Sequence, residues 1–217
     1  MTSPKRNAAQ VFAHYRPRRQ RRRSQPIFIA SHPSSIDTPT PTPLEAVLIA
    51  LDAAKRTGYA TYIVGRLWDY GEVNAREPEQ RRRVFADAIG AAYLRELPIG
   101  VVCEVPYGGF QSAARSLHGT YMAWCETWLG TGLPASHLLQ RTASRWRREF
   151  GWHTLPREQA RKLEALVADQ VIARDLGARR LAKPAPGPDA CAAICIGQTI
   201  VRSSELAQLL RCRARAR

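Results

Sequence analysis

Apolar runs that are bordered by single acidic residues stand out in the hydrophobic pattern of this chain. An apolar run over residues 46–51 ends at Asp52, and a second run over residues 99–103 ends at Glu104. A third acid, Asp189, directly precedes another apolar stretch. An ionised carboxylate at the border of a buried element is costly to desolvate unless it is paired or bound to a cation. The three acids are therefore candidates for one shared metal site.

The pattern of apolar and polar positions predicts five strands and four helices. The strands are predicted at residues 45–51, 59–64, 67–73, 99–104 and 136–139. The helices are predicted at residues 77–95, 110–129, 157–176 and 189–210. Antiparallel strands come first and strands then alternate with helices, which favours an α/β fold with a mixed five-stranded sheet flanked by helices.

Positive charge is concentrated at the two ends of the chain. The net charge is +15, yet residues 1–25 hold eight Lys or Arg and residues 211–217 hold four more, with no acid in either segment. The rest of the chain has a net charge of only +3. Such segments are typical of disordered arms that bind polyanions, and nucleic acid is the favoured partner. A solubilising tail or an anionic membrane surface is the alternative. In the first arm the predicted nucleic-acid contacts are Arg18, Arg19, Arg21, Arg22 and Arg23.

Composition also divides the chain and excludes some classes of protein. Four prolines among small polar residues make residues 31–43 an extended linker, so we expect a disordered basic arm and linker over 1–43. A folded domain is predicted over 44–210 and a basic tail over 211–217. No apolar run approaches the roughly 18–20 residues of a membrane span, and no signal peptide is visible. We therefore expect a cytoplasmic protein with no membrane partner.

Three segments together resemble the RuvC-type Holliday-junction resolvases of the ribonuclease H-like superfamily. Residues 48–60 (LIALDAAKRTGYA) resemble the opening hairpin, in which an apolar strand ends in Asp and a Thr-Gly-aromatic sequence starts the second strand. Residues 101–106 (VVCEVP) resemble the fourth strand with its metal-binding Glu. Residues 189–196 (DACAAICI) resemble the last helix. The resemblance covers about residues 44–202.

The resemblance implies a function and a set of catalytic residues. It implies an RNase H-like crossover junction endodeoxyribonuclease that acts in DNA recombination and repair as a homodimer on branched DNA. Asp52, Glu104 and Asp189 would hold two Mg²⁺ or Mn²⁺ ions, which can activate a water and stabilise the leaving oxygen of a phosphodiester. Lys162, which together with Trp146-Arg147 fits the phage-type members, would be a further catalytic residue.

The chain departs from this family at one acidic position. A fourth acid is usual three residues before the last Asp, where this chain has Pro186. Asp169 and Asp175 on the preceding predicted helix are candidate substitutes. Taken singly, each of the three acids also has a structural interpretation: Asp52 as a turn former, Glu104 as a strand-end ion pair and Asp189 as a helix N-cap. Lys162 could equally be a solvated helix charge.

Two further segments are candidates for contact with nucleic acid. In the loop at residues 107–110, Tyr107 and Phe110 could stack on unpaired bases, and a plain turn with a core anchor is the alternative. A second candidate segment is basic and aromatic, and it consists of Arg145, Trp146, Arg147 and Arg148. The alternative there is a helix with a buried tryptophan and a solvated basic face.

Two other functions remain open from the sequence. One is an RNase H-like nuclease that acts on flaps or RNA, because a fold does not select a substrate. The other is a non-catalytic nucleic-acid-binding protein that retains the fold, which the proline at the place of the fourth acid favours.

Overall fold

The structure is a computed structural model of the 217-residue chain. It describes residues 45–106 and 111–203, all of which fall within one compact unit. The predicted arm and linker over 1–43 and the tail over 211–217 lie outside the described residues. In the described part of the chain, no helix combines the length and the hydrophobicity needed to cross a bilayer.

Five strands form a single mixed sheet. The strands are β1 (Val47–Asp52), β2 (Arg56–Ile63), β3 (Arg66–Asn74), β4 (Ile99–Val105) and β5 (Leu138–Thr142). Their order across the sheet is β3-β2-β1-β4-β5. The pairs β1–β2 and β2–β3 are antiparallel, whereas β1–β4 and β4–β5 are parallel. The central strand β1 therefore has an antiparallel neighbour on one side and a parallel one on the other.

Five helices connect and cover the sheet in the described ranges. They are α1 (Pro78–Tyr93), α2 (Gln111–Leu129), α3 (Ala143–Glu149), α4 (Arg157–Leu176) and α5 (Pro188–Arg202). Short 3₁₀ turns at Ala135–His137 and Gly177–Ala182 precede β5 and follow α4.

The helices make two hydrophobic cores, one on each face of the sheet. Residues of α1 and α2 pack on one face, and residues of α3, α4 and α5 pack on the other. β1 contributes to both cores, because Leu48 and Ala50 point to one face and Ile49 and Leu51 to the other. A strand that is covered on both faces is apolar throughout, which explains the uninterrupted run before Asp52. The predicted mixed five-stranded sheet flanked by helices is confirmed.

The structure differs from the predicted elements at several places, including two element ends and one additional helix. β5 extends to Thr142, beyond the predicted end at residue 139. The helix α3 is not among the predicted elements, because it has only seven residues and only Trp146 among them is buried, so it has no recognisable periodicity. The last helix ends at Arg202 and not at residue 210, since Ser203 has an extended backbone.

Candidate active site

Asp52 and Glu104 lie side by side at one end of the sheet. β1 and β4 are parallel, and their register pairs Leu51 with Cys103, so the following residue of each strand is also adjacent. Leu51 and Cys103 pack in the core formed with α1 and α2. Because side chains alternate between the two faces of a strand, Asp52 and Glu104 face α4 and α5.

Asp189 approaches the same place from the first turn of α5. Its approach depends on Gly58, which is the register partner of Asp52 on β2. A Cβ atom at Gly58 would lie 1.9 Å from the carbonyl oxygen of Asp189, so only glycine allows this contact between strand and helix. The glycine of the Thr-Gly-aromatic sequence thus has a structural role beneath the site.

A carboxylate on β3 holds the start of α5. Glu72 accepts hydrogen bonds through Oε1 from the backbone N–H groups of Asp189 (3.2 Å) and Ala190 (3.3 Å). Its Oε2 pairs with Nε of Arg56 at 2.6 Å. The first N–H groups of a helix have no partner within the helix, and a negative charge beside them is stabilising. Glu72 therefore fixes the position from which Asp189 enters the site.

The acids line one cavity of about 240 Å³ between the sheet and the helices. Its wall contains four carboxylates and three guanidinium groups. The charged lining residues are Asp52, Glu104, Glu164, Asp189, Arg147, Arg157 and Arg161. The fold therefore brings the three predicted acids together and adds a fourth, Glu164.

Asp52 has the least compensated carboxylate of this group. Its side chain forms no hydrogen bond and no ion pair with any residue that the structure describes. Burial raises the pKa of Asp52 well above its usual value, and the charges of Glu104, Asp189 and Glu164 raise it further. A desolvated carboxylate among like charges takes up either a proton or a cation. This side chain makes the cavity a candidate site for a cation.

The carboxylate of Glu104, unlike that of Asp52, accepts a hydrogen bond from a neighbouring side chain. The indole Nε1 of Trp146 donates a hydrogen bond of 2.7 Å to Oε2 of Glu104. Burial raises the pKa of Glu104, whereas the bond from Trp146 and the charge of Arg147 lower it. Asp189 is intermediate: burial and the charge of Glu72 raise its pKa, and Arg161, at 4.0 Å, lowers it.

Glu164 is the site residue that sequence reasoning missed. Its side chain is only 2% exposed. Nε of Arg147 donates a hydrogen bond of 3.0 Å to its Oε1, and Nη2 forms an ion pair with the same oxygen at 2.9 Å. The helical pattern contains a signal for it, because Glu164 lies four residues from Ala160 and from Ala168, which are both buried. A glutamate within an apolar i, i+4 row requires an explanation of this kind.

The oxygen donors of the cavity fit a divalent cation such as Mg²⁺ or Mn²⁺ in chemical type. Asp52, Glu104 and Asp189 supply carboxylate oxygens on rigid elements, and like-charge repulsion among them is relieved when a cation binds. Within residues 45–106 and 111–203, however, no three His, Cys, Asp or Glu side chains already surround a single point as a complete set of metal ligands. The cavity therefore fits a divalent cation by the chemistry of its oxygen donors.

Lys162 lies away from this cavity. Its ammonium pairs with Glu158 at 3.5 Å, one helical turn earlier, and its side chain is 74% exposed. The adjacent Arg161, and Arg157 one turn before it, line the cavity instead. The location of Lys162 favours the alternative of a solvated helix charge, and any catalytic role for it stays a prediction.

The basic segment on α3 divides into buried and exposed residues. Trp146 is fully buried, so its ring offers no surface to a base or phosphate, which favours the alternative of a buried tryptophan in a basic helix. Arg147 is engaged with Glu164, while Arg145 and Arg148 are exposed. Contact between these exposed arginines and nucleic acid stays a prediction.

The remaining predicted site residues either lie outside the described residues or do not line the cavity. Tyr107, Phe110 and the arginines of the first arm (Arg18, Arg19, Arg21, Arg22 and Arg23) lie outside the described residues. Neither Asp169 nor Asp175 lines the cavity. Asp175 accepts a hydrogen bond of 2.9 Å from the backbone N–H of Leu67 and pairs with Arg174 at 2.7 Å, so its role is structural.

Comparison with known proteins gives structural matches only. No protein-family model and no curated protein matches this sequence. The chain is similar to a structure of Thermus thermophilus RuvC, with 18% sequence identity and a TM-score of 0.48, over 74% of this chain and 96% of that chain. It is also similar to T. thermophilus RuvC in complex with a Holliday junction substrate, with 18% identity and a TM-score of 0.42, over 71% of this chain and 91% of that chain. The function must therefore be inferred from the side chains of the site itself.

Proposed function

We propose that this protein is a metal-dependent endonuclease that hydrolyses phosphodiester bonds in branched DNA. One observation carries the proposal: the desolvated carboxylate of Asp52 has no partner in the described residues, yet it faces a cavity that it shares with Glu104, Glu164 and Asp189. In a chain with a net charge of +15, an acidic cavity of this kind fits a site for cations that meets a polyanionic substrate.

In this proposal the carboxylates of the cavity bind the metal and its arginines contact the substrate. Asp52, Glu104 and Asp189 would hold Mg²⁺ or Mn²⁺, as one ion or a pair. When bound, the metal supplies an activated water and stabilises the charge that develops on the leaving oxygen. Arg157 and Arg161 stand on the same wall, and the side chain of Arg161 is 42% exposed, so it can contact a phosphate oxygen of the substrate.

The proposed substrate, branched DNA, is inferred from features other than the acidic cavity. The exposed Arg145 and Arg148 and the basic arms provide the sequence-independent attraction to phosphates that nucleic-acid binding requires. The four-way junction as substrate, and a homodimer that cuts two strands symmetrically, come from the resemblance of the sequence motifs to RuvC-type resolvases.

A second candidate is a nucleic-acid-binding protein without nuclease activity. Arg147 already pairs with Glu164, and Arg161 lies 4.0 Å from Asp189, so guanidinium groups neutralise part of the acidic wall.

A panel of labelled nucleic acids separates these functions. Four-way junction, flap, linear duplex and structured RNA are each incubated with the full chain in Mg²⁺ and in EDTA, and both binding and cleavage are measured. Selective, Mg²⁺-dependent cutting of the junction supports the proposal. Cutting of the flap or RNA at an equal rate indicates a more general nuclease, and binding without cutting in Mg²⁺ or Mn²⁺ indicates the non-catalytic alternative.

A further inference from the structure

Glu164 occupies a position that is unusual for a glutamate. It lies in the middle of α4 with 2% of its side chain exposed, and it forms part of the cavity wall. A carboxylate that is removed from water is destabilising unless charged partners compensate for the loss of hydration. Its compensation comes from Arg147, because the hydrogen bond from Nε and the ion pair from Nη2 both end on Oε1. In the described residues, Oε2 accepts no hydrogen bond and forms no ion pair.

The short helix α3 holds two site carboxylates with two consecutive residues. Trp146 donates to Glu104 on β4, and Arg147 donates to Glu164 on α4. The guanidinium of Arg147 also lies over the Trp146 ring, 4.9 Å from its centroid. This arrangement joins a strand carboxylate and a helix carboxylate through one rigid unit.

We propose that Glu164 is a fourth carboxylate of the metal site, with Oε1 held by Arg147 and Oε2 available to a divalent cation or to a water bound to it. This inference rests on the proposed function, because it adds a ligand to the same cavity. Arg147 is then a positioning residue: its hydrogen bond and ion pair to Oε1 orient the carboxylate before a cation arrives.

The lining of the cavity supports this role. Glu164 lines the cavity together with Asp52, Glu104 and Asp189. A cation bound among these acids would offset their charges together.

Metal binding by the DNA-free protein tests the proposal. Mn²⁺ alone is the probe, and its affinity is measured by titration calorimetry for the full-length wild type, Glu164→Gln and Glu158→Gln. Glu158 is the matched control, since it is on the same helix but 86% exposed. We expect Glu164→Gln to weaken Mn²⁺ binding at least about tenfold and Glu158→Gln to have the wild-type affinity. An affinity for folded Glu164→Gln within twofold of wild type would overturn the proposal.

A crystal structure of the wild type with Mn²⁺ makes the test independent of how the variant folds. The proposal predicts Mn²⁺ coordinated to Oε2 of Glu164 directly or through one bound water. Mn²⁺ bound to Asp52 and Glu104, with Glu164 in contact only with Arg147, would overturn this inference and leave the proposed function standing. No binding of Mn²⁺ by the wild type would instead overturn the proposed function itself.

Discussion

The indole Nε1 of Trp146 and Oε2 of Glu104 are joined by a hydrogen bond of 2.7 Å that links α3 to the parallel strand β4. The tryptophan is fully buried, so this bond is shielded from water. A hydrogen bond from a neutral donor to a carboxylate favours the ionised form. The bond therefore orients Glu104 and offsets part of the rise in its pKa that burial causes.

Replacing Trp146 by Phe should make the site harder to ionise. Without the indole donor, the effect of burial on Glu104 is less compensated, so its pKa rises and the acidic limb of the pH profile for Mn²⁺ binding moves to higher pH. Loss of the bond should also lower the free energy of unfolding by about 1.5–3 kcal/mol. Calorimetry at several pH values and urea denaturation measure the two effects.

Trp152→Phe is the control for this variant, because Trp152 stacks on Phe150 at the end of the same segment with ring centroids 4.3 Å apart. It should leave the pH profile of Mn²⁺ binding unchanged. A Trp146→Phe protein with the wild-type profile would mean that the indole does not tune Glu104.

Asp52→Asn should stabilise the metal-free protein at neutral pH. The folded-state pKa of Asp52 is raised above its unfolded value, so its contribution to stability is fully present at low pH. It is lost as the pH rises from about 4 through the raised pKa. Removing the charge should therefore raise the free energy of unfolding by about 1–3 kcal/mol near pH 7, with little effect at low pH.

Denaturation in EDTA across this pH range measures the difference, with Asp87→Asn as the exposed control. Equal stabilities of wild type and Asp52→Asn at pH 7 would show that the carboxylate of Asp52 is compensated in solution.

Gly58→Ala should displace Asp189 and destabilise the protein. The new methyl group would meet the backbone carbonyl of Asp189, which cannot rotate away, so the start of α5 has to move. Overpacking of this kind costs about 1–3 kcal/mol of stability. The metal affinity should fall with it, since Asp189 moves with the helix.

Gly90→Ala provides a control of opposite sign, because Gly90 lies within α1 and nothing lies within 4 Å of its added methyl group. It should stabilise the protein by up to about 1 kcal/mol through higher helix propensity. If Gly58→Ala were as well tolerated as Gly90→Ala, the close approach of β2 and α5 would not exist in solution.

The sequence predicts the acids that border apolar runs but not the acid that lies within a charged helix. Asp52, Glu104 and Asp189 are predicted together because each borders a continuous apolar run, and a strand covered on both faces leaves its polar residues at the ends. Glu164 is not, because α4 is rich in charge and only two features distinguish this glutamate: its i, i+4 spacing to the buried Ala160 and Ala168, and its packing against α5. That packing is shown by the weak contact of the Cys195 thiol with the backbone carbonyl of Glu164.

The contacts that complete the site are long-range and leave no local signal. Trp146 and Glu104 are 42 residues apart, and Glu72 is 117 residues from the helix start that it caps. The sequence pattern places Trp146 among possible nucleic-acid contacts because an aromatic residue between arginines is typical of such surfaces. Only the fold shows that the seven-residue helix α3 turns this ring inward.

Deleting residues 1–25 should change how binding depends on salt. The eight Lys and Arg of this segment, including Arg18, Arg19, Arg21, Arg22 and Arg23, are expected to bind phosphates without sequence preference. The slope of log affinity against log salt should fall in magnitude by about 0.9 for each duplex phosphate that the deletion leaves unneutralised. The affinity of the DNA-free protein for Mn²⁺ should not change. An unchanged slope would show that the first arm does not touch the nucleic acid.

The most direct test of the metal-dependent nuclease is single-turnover cleavage of a labelled four-way junction by wild type, Asp52→Asn and Asp87→Asn. Wild type and Asp87→Asn should cut in Mg²⁺ or Mn²⁺ and not in EDTA. Asp52→Asn should bind the junction as tightly as wild type but cut it at least about a hundredfold more slowly, a loss of about 2.7 kcal/mol in transition-state stabilisation. Cleavage by Asp52→Asn at the wild-type rate, or cleavage by the wild type in EDTA, would contradict a metal-dependent reaction at this site.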